Sequence, residues 1–522
     1  MFIKILLLVI FFAVTVFVGF AFRKKNSSVS SFVLGGRSIG PWLTAFAYGT
    51  SYFSAVVFVG YAGQFGWRFG ISSVWIGLGN AFIGSLLAWV VLARRTRLMT
   101  RHLNSTTMPG FFESRYGSSG LKTGASLITF IFLVPYTASL YNGLSRLFAM
   151  AFSTDFTVCI IAMAVLTAAY VIVGGYMATA VNDFIQGIIM LVGIVMVIAA
   201  VLNSHGGFIN SLKLLAEVND PAVSETPGIF SSLFGPAPSE LLGVVLLTSV
   251  GTWGLPQMVQ KFYSIKSEKS INTGTVISTF FAVVIAGGCY FLGGFGRLFS
   301  DQVDIAANGY DSIIPAMLSG FSDFLIGIVI VLVLSASIST LSSLVMTSAS
   351  TFTLDFLKDR FVRNMDDKKQ LRYIRSLVAV FIIISAAIAI IQYRGGISFI
   401  AQLMGISWGA LAGSFLAPFL YGLYWKRTTK AAVWTNFIFA SAFMILNILF
   451  RSSFPALLQS PINAGAFTMF AGMVIVPAVS LITPKPDKET VEHAFAAYSG
   501  AVTVEVKNIL PDDSENGGSG QS

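Results

Sequence analysis

Long runs of apolar residues recur along the whole chain, and the prediction of its fold begins from them. Each run has roughly 20 residues, the length of helix that crosses the ~30 Å hydrocarbon core of a bilayer. Thirteen runs are predicted spans, at residues 2–22, 42–64, 70–93, 123–150, 157–175, 178–202, 239–258, 271–296, 321–350, 376–392, 397–424, 431–450 and 463–483. The pattern predicts an all-α, polytopic membrane protein.

The predicted spans place one transmembrane domain over residues 1–483. Beyond residue 484 the composition changes to Pro, Lys, Asp, Glu and Ser, which predicts a flexible cytoplasmic tail over 484–522. The sequence has no G-x-x-x-x-G-K motif followed by Ser or Thr, the loop that cradles nucleotide phosphates. Transport driven by ATP is therefore not expected, and an ion gradient is the expected energy source.

Composition and charge agree with a membrane protein. Hydrophobic residues make up 55% of the chain and charged residues 11%, whereas an ordinary soluble protein is about 25% charged. The net charge of +10 is concentrated in alternate loops, including 94–101, 261–269 with Lys261, 358–375 and 426–430. Because Lys and Arg collect in cytoplasmic loops, we expect a multi-pass cell-membrane protein with its N-terminus outside and its C-terminus in the cytoplasm. The charge is then topological and predicts no nucleic-acid partner.

Few residues suggest catalysis or a resident metal. Cys159 and Cys289 both lie in predicted spans, so no disulfide framework is expected. His102, His205 and His493 lack the spacing of metal ligands. We find no nucleophile with a base and an orienting group at plausible spacing, so neither an enzyme nor a cofactor is expected.

Two predicted spans are interrupted at mid-membrane depth. Residues 42–64 contain Gly49 and the polar stretch around it, and residues 239–258 contain Gly251, Gly254 and Pro256. Exposed backbone is costly in hydrocarbon unless it lines a cavity, so a broken helix indicates a binding site. The two spans are five apart, as expected for inverted repeats over 42–202 and 239–424. The alternative is that Gly and Pro only kink packed helices.

The ninth span contains six hydroxyl side chains between residues 335 and 343. Ala336, Ser339, Thr340 and Ser343 share one helix face. Hydroxyls, together with carbonyls released from a broken helix, are ligands for sodium that need no buried charge. The alternative is that the hydroxyls bond back to their own helix or hold neighbouring helices together.

Asp183 is the only carboxylate predicted inside a span rather than at its edge. It could cap a helix start and meet the positive end of the helix dipole. It could equally form a vestibule through which a cation leaves. Both interpretations stay open.

These residues resemble the sodium/solute symporter family, which includes bacterial proline, pantothenate and acetate permeases and animal glucose and iodide carriers. The resemblance rests on Leu34-Gly35-Gly36-Arg37-Ser38, on Gly174-Gly175-Tyr176 with Asn182-Asp183-x-x-Gln186, and on Ser339-Thr340. It extends from about residue 30 to about residue 425. It implies a five-plus-five inverted-repeat core with broken helices, a leading span at 2–22 and trailing spans over 431–483.

The resemblance also implies functional residues. Sodium, the only metal expected, would bind the carbonyls of Thr50, Phe53 and Ala336 and the hydroxyls of Ser339 and Thr340. Asp183 matches the family's acidic residue on the sodium exit route. The solute would lie beside five residues from four spans: Tyr52, Tyr136, Thr252, Trp253 and Gln402. The expected partners are sodium, a small organic solute and the lipid bilayer, and the oligomeric state stays open.

The same positions suggest the class of solute. The sugar branch has polar residues where this chain has Val56 and Val57, and the proline branch has an acidic residue at Tyr52 and aromatic residues at Thr248 and Thr252. Gly254-Leu255-Pro256-Gln257 is more similar to the pantothenate and acetate branches. We therefore expect sodium-coupled import of a monocarboxylate, with a proline-like amino acid as the alternative. An ion channel or a transporter-like sensor is the alternative from another class.

Overall fold

The computed structural model describes residues 2–21, 29–37, 39–362, 365–394 and 400–498. Throughout these ranges the chain is helical with short connections, and extended pairing is limited to the isolated bridges Ile39 to Ile265 and Asp220 to Ser224. The predicted all-α fold is confirmed. Arg363, in the basic loop predicted at 358–375, lies outside the described residues.

The described residues of the first half of the chain form ten α-helices: α1 (Phe2–Ala21), α2 (Val29–Leu34), α3 (Pro41–Tyr52), α4 (Ala62–Phe69), α5 (Val74–Gly79), α6 (Arg94–His102), α7 (Met108–Tyr116), α8 (Ser119–Phe152), α9 (Phe156–Ser204) and α10 (Phe208–Glu217). Three π-helical segments, Val56–Tyr61, Asn80–Leu87 and Trp89–Ala93, lie between α3 and α6. Turns of 3-10 helix form Gly35–Arg37 and Gly70–Ser73.

In the second half, the part that the structure describes forms thirteen more: α11 (Pro238–Val250), α12 (Pro256–Tyr263), α13 (Glu268–Ala282), α14 (Gly288–Gly294), α15 (Ile305–Asn308), α16 (Ile313–Ser319), α17 (Asp323–Thr351), α18 (Lys358–Arg360), α19 (Asp367–Arg394), α20 (Ile400–Tyr424), α21 (Lys430–Leu449), α22 (Pro461–Ile482) and α23 (Lys488–Ala496). Val283–Gly287 and Phe352–Leu357 are π-helical. The segments Ile229–Ser231, Gly251–Gly254, Gly296–Gln302, Tyr310–Ser312, Arg451–Ser453 and Ala456–Gln459 are 3-10 helical.

Among the described residues, ten helices are long and apolar enough to cross a membrane. The segments Pro238–Gly254 and Pro256–Tyr263 form an eleventh candidate span that bends by 47°. The 49-residue α9 is kinked at Gly175, where φ is 60°. A positive φ is a conformation that glycine adopts at little cost, and the kink separates the two spans predicted at 157–175 and 178–202.

Helix α17 lies at the centre of the bundle and packs against α3, α8 and α9. Helices α1, α21 and α22 are peripheral and expose large apolar side chains such as Phe17 and Ile482. Contiguous exposed apolar surface is rare on soluble proteins, so these helices provide the surface expected to face lipid.

The two ends of the bundle differ in charge. At one end, which we call the basic face, Arg94 pairs with Glu268 at 2.6 Å and Lys122 pairs with Asp359 at 2.7 Å. The 3-10 turn of Tyr310–Ser312 lies at the other end, the opposite face, where the Asp311 carboxylate accepts a hydrogen bond from the Ile400 N–H at 3.2 Å. Most of the loops predicted to be basic lie at the basic face.

The segment after residue 484 differs from the flexible tail that its composition predicted. Its residues 488–496 form α23, which packs on α7 and α6 at the basic face. The His102 Nε2 atom lies 2.9 Å from the His493 carbonyl oxygen, and the Arg95 guanidinium lies 4.8 Å from the centroid of the Tyr498 ring. The flexible-tail prediction is wrong for this part of the segment, because cation–π and hydrogen-bond contacts compensate for its polar composition. Residues 499–522 lie outside the described residues.

Candidate functional site

The first broken span is interrupted immediately after α3. Helix α3 ends at Tyr52, and Phe53 is extended, with φ −108° and ψ 115°. Helical geometry resumes at Ala55, followed by the π-helical segment Val56–Tyr61. The last carbonyls of a helix have no partner within it, so this break releases backbone oxygen atoms in the interior of the bundle. Phe53, one of the predicted sodium ligands, forms the break itself.

The hydroxyls of Ser339 and Thr340 on α17 point at the released backbone of α3. The Thr50 carbonyl oxygen lies 3.0 Å from Ser339 Oγ and 3.1 Å from Thr340 Oγ1. The Ala336 carbonyl oxygen lies 3.0 Å and 2.9 Å from the same two atoms. Four of the five residues predicted to bind sodium are therefore brought together between two helices.

The chemistry of this oxygen cluster fits an alkali cation. Ser339, Thr340 and Thr50 are fully buried. Each hydroxyl carries a single proton yet lies within hydrogen-bond distance of both carbonyls, so not all of these contacts can be hydrogen bonds at once. Carbonyl and hydroxyl oxygens from an unwound helix and its neighbour are ligands of the kind that coordinate sodium in transporters. We call these residues the candidate sodium site.

A polar network continues from this site toward the basic face. Ser343 lies about one turn after Thr340 on α17, and its Oγ is 2.8 Å from the Ser51 Oγ. The Ser343 Oγ also accepts a hydrogen bond of 2.8 Å from the Nζ of Lys261. Lys261 is only 3% exposed and lies within α12. The sequence analysis placed Lys261 in a basic loop, and that placement is wrong because α12 extends the broken seventh span past it.

Asp183 lies in the second half of α9 and is fully buried. In the part of the chain that the structure describes, neither of its carboxylate oxygens has a hydrogen-bond partner, and Lys261 is the cation with which it interacts electrostatically. The capping interpretation of Asp183 is wrong, because the helix restarts at Gly175, about two turns earlier. The exit-route interpretation remains a prediction.

Three of the five predicted solute-site residues, Tyr52, Tyr136 and Thr252, lie beside Trp408 or Tyr48. We call Tyr52, Tyr136 and Trp408 the aromatic cluster. The Tyr52 hydroxyl donates to the Thr248 carbonyl oxygen at 2.5 Å, and the Tyr52 ring centroid lies 6.2 Å from that of Trp408. Tyr136 meets Trp408 edge to face at 5.9 Å. The Thr252 hydroxyl lies 3.1 Å from the Gly84 carbonyl oxygen, to which Tyr48 also donates.

The other two predicted solute-site residues differ in their placement. The indole N–H of Trp253 donates to the Ile83 carbonyl oxygen at 3.0 Å, and Trp253 is only partly buried. The Gln402 side chain accepts a hydrogen bond from Arg451 at 3.3 Å, in the loop that precedes α22. Gln402 therefore lies at the opposite face, apart from the aromatic cluster, because it sits in the first turn of α20.

Sequence reasoning missed Trp408, Ser51 and Lys261. Trp408 is the large buried residue that joins Tyr52 to Tyr136. Trp408 lies six residues after Gln402 in α20, about 120° away around the helix, so the prediction of Gln402 gave no signal for it. No signal marks Lys261 either, which follows Gln257 and Gln260 in a helix too short to show periodicity.

The broken helices, the oxygen cluster and the buried charges define a secondary transporter rather than an enzyme. The model of the family described as "Sodium:solute symporter family" matches residues 32–438. The chain belongs to this family, whose members are transporters, and the resemblance inferred from the motifs is confirmed.

Two similar curated proteins are proline transporters by name. The osmoregulated proline transporter OpuE of Bacillus subtilis (strain 168) is 27% identical over 483 residues, covering 92% of this chain and 94% of that protein. A sodium/proline symporter of Staphylococcus aureus is 27% identical over 498 residues, covering 93% of each.

Solved structures share the fold. A Na+-coupled sialic acid symporter in a substrate-bound, outward-open state has a TM-score of 0.72 at 16% identity, over 94% of this chain and 99% of that one. MHP1, a nucleobase-cation-symport-1 family transporter, has a TM-score of 0.50 at 13% identity, over 90% of this chain and 99% of that one. The inverted-repeat fold predicted from the paired broken spans is therefore confirmed.

Proposed function

We propose that this protein is a sodium-coupled symporter that carries proline or a similar small zwitterionic amino acid into the cell. The observation that carries the proposal is the approach of the Ser339 and Thr340 hydroxyls to the Thr50 carbonyl at the break after α3. Family membership supports coupling to sodium.

Sodium bound by these oxygens would join α3 to α17. An ion that bridges two helices favours the conformation in which they are close together, and the solute site lies on the same broken span. Linkage then requires sodium and solute to raise each other's affinity by the same factor. This reciprocity is the physical basis of the proposed coupling.

The nature of the solute follows from the relatives and the aromatic cluster. The similar curated proteins are named for proline, so the amino-acid alternative is better supported than the monocarboxylate that the sequence analysis preferred. The Tyr136 hydroxyl is fully buried and has no hydrogen-bond partner among the described residues. A carboxylate oxygen of the solute would accept that hydrogen bond, while the Tyr52 and Trp408 rings pack against a small apolar ring.

The charge of the two faces supports an orientation in the membrane, and the inward sodium gradient then sets the direction of transport. Lys and Arg collect on the cytoplasmic side of membrane proteins, so we assign the basic face to the cytoplasm. Sodium would leave the candidate site past Ser343, Lys261 and Asp183 toward that face. Asp183 would provide a transient anionic stop on this route.

Uptake into proteoliposomes tests the solute. Labelled proline should accumulate only with sodium outside, and unlabelled proline should compete better than acetate, pantothenate, glucose or unrelated amino acids. Stronger competition by acetate or pantothenate would favour the monocarboxylate. For the sodium dependence, Thr340→Ala has Ser350→Ala as its matched control, because the Ser350 hydroxyl lies on the same helix and, within the described residues, bonds back to the Thr347 carbonyl.

A further inference from the structure

Polar contacts hold helix α1 to the rest of the bundle at two places. Near the start of α1, the Lys4 ammonium lies 3.0 Å from the Asp323 carboxylate of α17 and donates to the Ala151 carbonyl of α8 at 3.0 Å. In the second half of α1, the Thr15 carbonyl accepts a hydrogen bond of 3.2 Å from the Asn182 amide of α9. Between these contacts, α1, α9 and α17 enclose a groove of about 390 Å³.

The groove opens toward the surface expected to face lipid. Four of the apolar side chains that line it are each at least 40% exposed: Ile10, Val14, Ile188 and Val192. On α9 the lining residues extend from Asn182 to Met196, which is about 21 Å of helix. A ligand of this groove would therefore enter from the bilayer and would be elongated.

The Gln186 side chain lines the groove one turn after Asn182 on α9. Gln186 is only 1% exposed, and neither its Oε1 nor its Nε2 atom has a hydrogen-bond partner in the part of the chain that the structure describes. A side-chain amide offers one carbonyl acceptor and two N–H donors, and a buried polar group without a partner is destabilising. A ligand group that both donates and accepts a hydrogen bond would satisfy both atoms.

We propose that this groove binds a single-chain membrane lipid that ends in a hydroxyl group, such as a long-chain alcohol. The hydroxyl donates to Gln186 Oε1 and accepts from Gln186 Nε2, and the hydrocarbon chain lies along α1 and α9. A charged headgroup is disfavoured, because none of the described residues that line the groove is charged and a buried charge without a partner is costly. This site is separate from the proposed solute site and does not depend on coupling to sodium.

Competition for photolabelling tests this inference. The purified full-length protein is reconstituted in phosphatidylcholine nanodiscs with tetradecanol that carries a photoreactive diazirine, and the labelled peptides are mapped. The label should fall on α1 and on the second half of α9. At equal mole fraction, unlabelled tetradecanol should compete roughly tenfold better than tetradecane or tetradecyl methyl ether, because the alkane makes no hydrogen bond to Gln186 and the ether cannot donate one.

Variants separate the amide from the groove. Gln186→Leu has a similar size and should keep the labelling while abolishing the difference between the three competitors. Val14→Trp should fill the opening of the groove and reduce the labelling. Val9→Trp is its matched control, because Val9 is exposed on the same helix but does not line the groove.

The outcomes decide the inference independently of symport. Equal competition by the three compounds in the unaltered protein would overturn it, and so would labelling spread evenly over the lipid-facing helices. A preference for tetradecanol that persists in Gln186→Leu would also contradict it. If Gln186→Leu does not fold, the comparison of Val14→Trp with Val9→Trp and the competition in the unaltered protein still decide. None of these results bears on sodium-dependent uptake, which tests the proposed function separately.

Discussion

The hydroxyl of Thr340 lies 3.1 Å from the carbonyl oxygen of Thr50, although the two residues are 290 positions apart in the chain. This contact joins a backbone carbonyl beside the break in α3 to the hydroxyl-rich face of α17. Because the contact depends on both α3 and α17, Thr340 is the most informative position at which to perturb the proposed coupling.

Thr340→Ala should raise the sodium concentration for half-maximal uptake by roughly tenfold, if the lost oxygen contributes about 1.4 kcal/mol to sodium binding. Saturating sodium should restore much of the solute affinity, since the solute site is untouched. Uptake measured against sodium concentration checks this, with Ser350→Ala as the control. Unaltered sodium dependence in folded Thr340→Ala and Ser339→Ala would place the sodium site elsewhere.

Asp183→Asn should slow turnover and weaken the dependence on sodium more than it weakens equilibrium binding of solute. The reason is that a carboxylate on the exit route acts on the release of the ion and lies apart from the aromatic cluster. Comparison of steady-state uptake with equilibrium solute binding in detergent checks this. An equal loss in both, or unchanged transport with a lower melting temperature, would argue for a purely structural role.

Tyr136→Phe should weaken solute binding by roughly tenfold, the effect of losing a hydrogen bond to a charged group worth about 1.5 kcal/mol. Its melting temperature without solute should change little, because within the described residues the hydroxyl lies near Ser54 and Trp408 but forms no hydrogen bond of good geometry. Tyr141→Phe is a matched control, since that hydroxyl is equally buried and unpartnered but points roughly 140° away around the helix. If Tyr136→Phe and Tyr141→Phe bind the solute with equal affinity, Tyr136 does not bind the solute.

Asp311 predicts a dependence of stability on pH. Burial raises the pKa of Asp311 to about 6, against the opposing effects of Arg146 and the Ile400 N–H. The folded protein therefore binds this proton more tightly than the unfolded chain, whose Asp pKa is about 4. The contribution of Asp311 to stability is fully present below about pH 4 and is lost as the pH rises to about 6, by at most about 3 kcal/mol.

Melting temperatures between these pH values test the role of Asp311. Asp311→Asn keeps an acceptor for the Ile400 N–H and should remove part of the decrease in stability with rising pH. Asp301→Asn, a change at an exposed residue, should leave the decrease intact. A pH profile identical in Asp311→Asn and the unaltered protein would contradict the assignment.

The sequence predicted the elements of the site that depend on local pattern. Gly49 and the polar residues around it predicted the break in the helix, because bare backbone is costly in lipid unless it lines a cavity. The Ser339-Thr340 pair predicted the helix face that meets this break. Lys261 was misplaced because hydropathy assigns a lysine near a span end to a loop, and only tertiary packing shows that α12 continues into the bundle. Gln402 was expected from the resemblance alone, and it lies instead in the first turn of α20 at the opposite face, where it bonds to Arg451.

The measurement that tests the central claim most directly is accumulation of labelled proline in proteoliposomes under an inward sodium gradient with the membrane potential clamped at zero. The account predicts that proline accumulates above its external concentration. Accumulation should increase further when the interior is made negative, because each transferred charge gains about 2.3 kcal/mol per 100 mV. In Thr340→Ala at low sodium, the accumulation and its increase with potential should both be lost. Equal uptake of every solute in the panel with and without sodium would contradict it.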